Sequence, residues 1–284
     1  MPSAPTSSSA WQVRRDLGAR LGEIRRDAGL TGRALARLCG WHESKVSRIE
    51  NAVTAPASSD IRSWCEHCGA TDQVADLVAS LRAVEGMYVE WRRMERTGLR
   101  RAQQAVLPLW ERTRLFRAYS SWLVPGAVQT QQYTRAILGA IGARRGLPDD
   151  VDDAVAARTD RLRLLRERGR LFEILVEEPV LRTTIGGADV MRGQLSHLID
   201  VASWPAVSLG IIPMGIDRDL IWPVEDFWIF DDALANVELV SGLLTMTRPG
   251  EIATYDRTFR DLSALALRGP SARALIASAI DALP

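Results

Sequence analysis

Residues 31–50 read TGRALARLCGWHESKVSRIE, and this stretch decides the N-terminal fold. Thr31 is placed to cap a short helix with apolar positions Ala34, Leu35 and Leu38, and Gly40 breaks that helix. A second helix follows in HESKVSRIEN, with Val46 and Ile49 facing inward. Ala36 is small where two helices must cross closely, and Gly40 lets the chain reverse. A helix, a glycine-bearing turn and a second helix with polar outward positions make the helix-turn-helix pattern. Its outward residues suit the major groove, which admits one helix and shows a distinct donor and acceptor pattern for each base pair. Lys45 and Arg48 offer charged donors, Ser44 and Ser47 donate or accept, and Glu43 can accept from a cytosine amine. Thr31 and Arg33, opening the first helix of the pair, are expected on phosphates. With His42 and Asn51 at the two ends of the second helix, the candidate DNA-contacting set is Thr31, Arg33, His42, Glu43, Ser44, Lys45, Ser47, Arg48 and Asn51.

Before this stretch, Leu17, Leu21, Ile24 and Ala28 recur at spacings of an amphipathic helix that Gly29 closes. After it, a fourth helix from about Asp60 to Cys68 places Ile61, Trp64 and Cys65 on one side. From Asp72 to about Gln104 a longer helical stretch, broken near Gly98, carries Val74, Leu77, Val78, Leu81, Val84, Met87, Tyr88 and Trp91. Residues 107–123, 130–141 and about 150–169 also read as helical, with a turn at Pro125-Gly126. The texture then changes. FEILVEE (172–178), VSLGIIP (207–213), DFWIFD (226–231) and NVELVSG (236–242) are short β-branched and aromatic runs between turn residues, as strands are. Helices are expected near 188–203, 249–267 and 271–282. The predicted fold is mainly α with an α+β C-terminal domain, a small sheet with helices. It divides into a disordered lead-in over 1–10, a DNA-binding domain over 11–70, a helical connector over 71–104 and an effector domain over 105–284.

The 36 basic and 35 acidic side chains nearly cancel, so net charge argues for neither nucleic acid nor a membrane surface. Their distribution is uneven, with 9 basic to 5 acidic over residues 1–57 and 8 to 16 over residues 171–284. Lys45 is the sole lysine, so neither a phosphate-binding P-loop nor a Schiff-base lysine can be built outside that position. The opening MPSAPTSSSA lacks the charged and apolar segments of a secretory signal, and no apolar run approaches a membrane span. A soluble cytoplasmic protein with reduced cysteines is expected.

Ala34-Leu35-Ala36, Gly40, Ser44, Val46-Ser47 and Ile49-Glu50 closely resemble the Xre/Cro-type helix-turn-helix family. That resemblance implies a lambda-repressor-like helical bundle binding operator double-stranded DNA, usually as a homodimer. The sequence departs from the family at Gly32, where a DNA-contacting glutamine is frequent, and at His42, where a serine or threonine cap is frequent. His42 can still cap through a ring nitrogen. Leu123-Val-Pro-Gly-Ala-Val-Gln-Thr130 with Tyr133, then Glu177-Glu-Pro-Val-Leu181, Ile185-Gly-Gly187, Val190-Met191, Gln194-Leu195 and His197-Leu198, resemble the DUF5753 domain. Glu177-Glu178-Pro179 is a small departure where members often show Asp-Glu. The resemblance implies an antitoxin-like transcriptional regulator of the actinobacterial kind, whose C-terminal domain dimerises, senses a ligand or binds a partner. A small acidic DUF397-type protein is the partner it implies.

Other signals read more plainly. Cys65-Glu-His-Cys68 with Cys39 could supply zinc ligands, but positions 65 and 68 share a helix face that 67 does not. Buried thiols beside Trp64 are expected instead, with no metal. Glu177-Glu178, Glu225-Asp226 and Asp231-Asp232 are adjacent on strands and point to opposite faces, so solvated strand ends are expected. No nucleophile frame or metal-protease motif occurs, and His42, His67 and His197 lie in different elements. No catalytic residue and no cofactor are expected, and the protein reads as a regulator and not an enzyme. Around Trp222-Pro223 and Phe227-Trp228-Ile229-Phe230, one apolar strand face is left over that suits a small-molecule pocket or a partner groove. Arg92, Arg93, Arg96, Arg100 and Arg101 form a basic run, either a solvated face or added phosphate contacts.

Overall fold

Of the predicted stripe Leu17, Leu21, Ile24 and Ala28, the first three are buried and Ala28, just past the helix, is exposed; around them closes a core of Leu35, Val46, Ile49, Ile61 and Trp64. The computed structural model describes residues 9–219 and 221–284, and the chain divides into two units, Met1–Val89 and Glu90–Pro284. The first unit holds α1 (Ser9–Asp27), α2 (Gly32–Leu38), α3 (Glu43–Glu50), α4 (Ser58–His67) and α5 (Val74–Met87). Leu38, read as part of the inner stripe of α2, is exposed. The lead-in expected over 1–10 lies outside the described residues as far as residue 8, and α1 begins at Ser9.

Two contacts fix α1 in place. Trp64, fully buried, donates its indole N–H to the Leu21 carbonyl at 3.0 Å, tying α4 to α1. Gly18 lies against the end of α3: a Cβ there would stand 2.6 Å from the Ile49 oxygen and 2.7 Å from the Glu50 oxygen. Only glycine permits that approach.

The stretch expected as one connector over 71–104 divides at Val89. Leu77, Val78 and Leu81 of α5 are buried in the first core, so the stripe serves packing within that unit. The side chains of Val84, Met87 and Tyr88 lie outside the described residues. β1 (Tyr88–Glu90) spans the division, and α6 (Trp91–Met94) and α7 (Leu99–Ala105) open the second unit.

That unit continues with α8 (Leu107–Arg112), β2 (Leu115–Ser120), α9 (Gln131–Arg145), α10 (Val151–Arg161), β3 (Leu171–Glu177), α11 (Glu178–Arg182) and α12 (Ala188–Val201). It ends with β4 (Val207–Ile212), β5 (Phe227–Phe230), β6 (Leu234–Glu238), β7 (Gly242–Met246), α13 (Pro249–Leu265) and α14 (Gly269–Asp281). The strands wholly within it run β7-β6-β5-β2-β3-β4. β2, β3 and β4 are parallel and linked through helices, whereas β5, β6 and β7 form an antiparallel meander beside β2. The helix expected over 107–123 is corrected: it ends at Arg112, and LFRAYS becomes the central strand β2. Phe116 there pairs with Phe172 on one side and Phe230 on the other, and the Phe116 and Phe172 rings stack 4.3 Å apart. Partners distant in sequence outweigh the local helical pattern.

Strand alternation sorts the sheet into two faces. Phe116, Ala118, Phe172, Ile174 and Val176 belong to one core with α12 and α14. Tyr119, Leu175, Phe227 and Ile229 belong to the other, with α13. The solvated strand ends expected at Glu177 and Glu178 are also corrected, because both side chains are buried. Glu177 accepts from the Tyr119 hydroxyl at 2.9 Å and pairs with Arg218, while Glu178 accepts from Arg182 and from the Met214 N–H. Asp226 is likewise engaged, by Ser120 and Ser121, and Asp231 accepts from the Arg114 and Leu115 N–H groups. Tyr255 donates to Glu225 at 2.6 Å, and Asp232 is exposed and pairs with Arg117.

Cys65 faces the first core, with Cys39 and Cys68 packed against it and His67 exposed. Burial pushes all three thiols up, Cys68 to about 11, with Cys65 and Cys39 adding to the effect there.

Gly18→Ala is expected to destabilise the protein by about 2 kcal/mol, the cost of overpacking a close contact, read from the urea midpoint. An unchanged midpoint would mean that α1 and α3 separate freely. The thiols give a second test. A folded-state pKa above the unfolded 9.0 means that the folded chain holds more protons between pH 9 and about 11. Stability therefore falls as pH rises through that window, and Cys68→Ala should flatten the decline relative to wild type.

Candidate nucleic-acid interface

Residues 31–51 form the two helices and turn that the sequence predicts. Thr31 caps α2, its hydroxyl accepting from the Ala34 N–H at 3.1 Å. Gly40 adopts φ +69°, the left-handed conformation that glycine takes without strain, and the Trp41 N–H returns to the Ala36 carbonyl at 2.7 Å. His42 then caps α3 as expected, Nδ1 accepting from the Ser44 N–H at 3.3 Å and lying 2.8 Å from its Oγ. At the far end of α3, Ala52 takes φ +58° and the Val53 N–H reaches the Arg48 carbonyl at 2.8 Å. This left-handed cap is built on an alanine, at a cost of about 1–2 kcal/mol.

The orientation of α3 follows from its 3.6-residue turn. Val46 and Ile49 are buried, which places Ser44, Ser47, Arg48 and Asn51 on the opposite side. Ser47, Arg48 and Asn51 are exposed and Ser44 is half-buried. Asn51 donates to the Ser47 carbonyl at 2.8 Å and lies 3.3 Å from its Oγ, holding both polar groups at the surface. Arg48 alone among these carries charge, and its guanidinium has no partner among the described residues.

Glu43 and Lys45 occupy the two flanks. Glu43 pairs with Arg33 at 2.9 Å, with both side chains well exposed, a contact worth about 0.2–1 kcal/mol. Lys45 is held more firmly. Its ammonium lies 2.7 Å from Asp60 Oδ1 and 4.3 Å from the centre of the Trp41 ring. Asp60 Oδ2 accepts from the Ala57 N–H, so the same carboxylate caps α4 and anchors Lys45. The nine predicted residues thus gather on one helix pair, with Arg48 at the centre of the outer face and Lys45 turned toward α4.

Sequence reading missed the residues that aim this face. Arg25 reaches from α1 to Glu50 at the end of α3 with two contacts, 2.6 and 3.2 Å, and donates to the Leu30 carbonyl at 2.6 Å. Gly18 and Gly22 let α1 approach the same end. The signal available was their spacing of four on the face that carries Leu17 and Leu21.

Residues 16–78 match a family model described as a helix-turn-helix domain. Residues 92–278 match one described as a domain of unknown function, DUF5753. No curated protein matches the chain. Among solved structures, TrmBL2, described as an archaeal chromatin protein with a novel mode of DNA binding, aligns over 88% of this chain and 99% of its own. Its identity is 13% and its TM-score 0.32, too loose a likeness to carry an argument. The DUF5753 model spans more than half of the residues, and the chain belongs to that family, with a helix-turn-helix domain ahead of the family's own.

Proposed function

We propose that the protein is a sequence-specific transcriptional regulator, not an enzyme, and that α3 enters the major groove of its operator. The observation that carries this reading is the outer face of α3: Ser44, Ser47, Arg48 and Asn51 are free of core packing on a helix pinned from behind by Val46, Ile49 and Glu50. Arg48 is the residue with the reach and fork geometry to read a guanine edge. Thr31 and Arg33 lie toward phosphates. Bound as a two-fold homodimer, the protein would set two such helices on half-sites about 34 Å apart. No helix among the described residues is long and apolar enough to cross a membrane, in keeping with action in the cytoplasm.

In this reading the second unit dimerises and senses a ligand or partner. One observation favours an antitoxin-like role beside DNA binding. Arg92, Arg93, Arg96 and Arg101 are exposed, with no ion-pair partner among the described residues, a surface suited to a small acidic DUF397-type protein. Arg100 differs, paired with Asp153 at 3.3 Å.

Fluorescence anisotropy on the protein's own upstream DNA, against a scrambled duplex and across a salt series, tests the central claim. Arg48→Ala should weaken specific binding by about 1–3 kcal/mol while leaving the urea midpoint unchanged. Lys45→Ala should lower the midpoint, since it frees Asp60, and change affinity less than Arg48→Ala does. Equal binding to both duplexes, or full affinity in Arg48→Ala, overturns the assignment of α3.

A further inference from the structure

Strand alternation in the second unit leads to a cavity. On β6, Ala235 and Val237 enter the core under α13, so Asn236 and Glu238 point the other way. On β5, Trp228 and Phe230 share that second face. Together with α7, α9 and α10 they line an open-mouthed cavity of about 250 Å³. Glu238 is exposed and lines this cavity.

Much of the lining is apolar, including Leu99, Leu138, Ile141 and Leu243, but α10 contributes two arginines. Arg158 and Arg161 are three residues apart on one helix face, and both guanidinium groups reach one neutral oxygen, Gln103 Oε1, at 2.9 and 3.4 Å. Arg158 also donates to Gln129 Oε1 at 2.9 Å. Arg161 stacks over Trp110 with 4.4 Å between its carbon and the ring centre, and its buried Nε has no hydrogen-bond partner. Burial and the Arg158 charge push Arg161 down to about 9, which leaves it charged at neutral pH.

Arg161, buried, and Arg158, half-buried, donate to neutral amide oxygens, and neither forms an ion pair among the described residues. Three other charged residues of the cavity have partners of their own. Arg145 holds Glu95 at 2.5 and 2.6 Å, and both oxygens of Asp226 are taken by Ser120 and Ser121. Glu238 remains, with no side-chain hydrogen bond among the described residues. Burial pushes its carboxyl up while Arg158 pulls against that shift. At the two arginines a monoanion would replace neutral amide oxygens with a charge-assisted partner, whereas a dianion would bring more negative charge toward Glu238 and Asp226.

The geometry points to a ligand site for a small organic carboxylate, its carboxylate held by Arg158 and Arg161 where Gln103 Oε1 now serves them, its apolar body against Leu138, Ile141 and Trp228. A cavity of about 150 Å³ holds benzene, so this one accommodates a body with head group of about ten non-hydrogen atoms. The proposal names the ligand class for the sensing role above and depends on that reading only for its regulatory consequence.

Isothermal titration of the full-length protein, without DNA, provides the test. Benzoate and indole-3-carboxylate are the probes, with benzamide, indole-3-carboxamide and inorganic phosphate as controls. One saturable site is expected for the carboxylates, at least tenfold tighter than for the amides, with phosphate weaker than either carboxylate. Arg158→Gln should weaken carboxylate binding tenfold or more. Leu243→Trp, which fills the cavity and leaves the arginines intact, should abolish it. Glu238→Gln, which removes the opposing carboxyl, should tighten it severalfold and serves as the folded control. Absence of saturable carboxylate binding at millimolar concentration, equal binding of the amides, or binding that survives Leu243→Trp overturns the site. Each of these results leaves operator binding to be judged by its own assay.

Discussion

The first unit depends on how closely α1 can approach the end of α3. Gly18 and Gly22 remove the side chains that would hold the two backbones apart, and the Arg25–Glu50 pair closes over the gap. A buried stripe alone restrains a short helix poorly, because a two-turn element can roll about its axis at small cost in apolar burial. α3 has only Val46 and Ile49 as fully buried anchors. The ion pair and the carbonyl contacts at its C-terminus supply the direction that hydrophobicity does not. Since side-chain reach into a groove is set by a few ångströms, the aim of Arg48 is inherited from α1.

The second unit applies the same economy through alternation. Each strand sends one set of side chains to α13 and the other to α9, α12 and α14. Toward β5 and β6 the second face is no longer filled by helix side chains, and the polar and aromatic residues there border an open-mouthed cavity. The cavity thus follows from sheet architecture, because the antiparallel meander extends beyond what the helices between the parallel strands cover.

Much of this architecture was legible in the sequence. The helix pair, its glycine turn, the Thr31 and His42 caps and four strands follow from periodicity and punctuation, which are local. What escaped was set by distant partners. LFRAYS has a helical neighbour on its N-terminal side and becomes a strand because β3 and β5 flank it. Glu177 and Glu178 read as solvent-facing carboxylates, yet Arg218, Tyr119, Arg182 and the Met214 N–H bring them partners from far along the chain or one helical turn away. Asn236 and Glu238 alternate as a solvated strand face does, and only the helices packed opposite make that face the wall of a cavity. For the helix pair, the outward positions of α3 were readable but their state of pairing was not: nothing near Lys45 in sequence announces Asp60, fifteen positions away.

That pairing bears on how the interface would discriminate. Affinity for any DNA rises with the number of unpaired cations presented to phosphates, and specificity is the surplus of operator over random sequence. Around α3 the free protein already neutralises Arg33 with Glu43 and Lys45 with Asp60. In the proposed reading, contact with a random duplex would compete with these pairs, weakly at the exposed Arg33–Glu43 pair and more at Lys45, which Asp60 and Trp41 hold. In that reading Arg48, unpaired among hydroxyl and amide groups, would gain most where a base edge fits its fork. A domain working this way would keep the part of its affinity that depends on the sequence beneath α3.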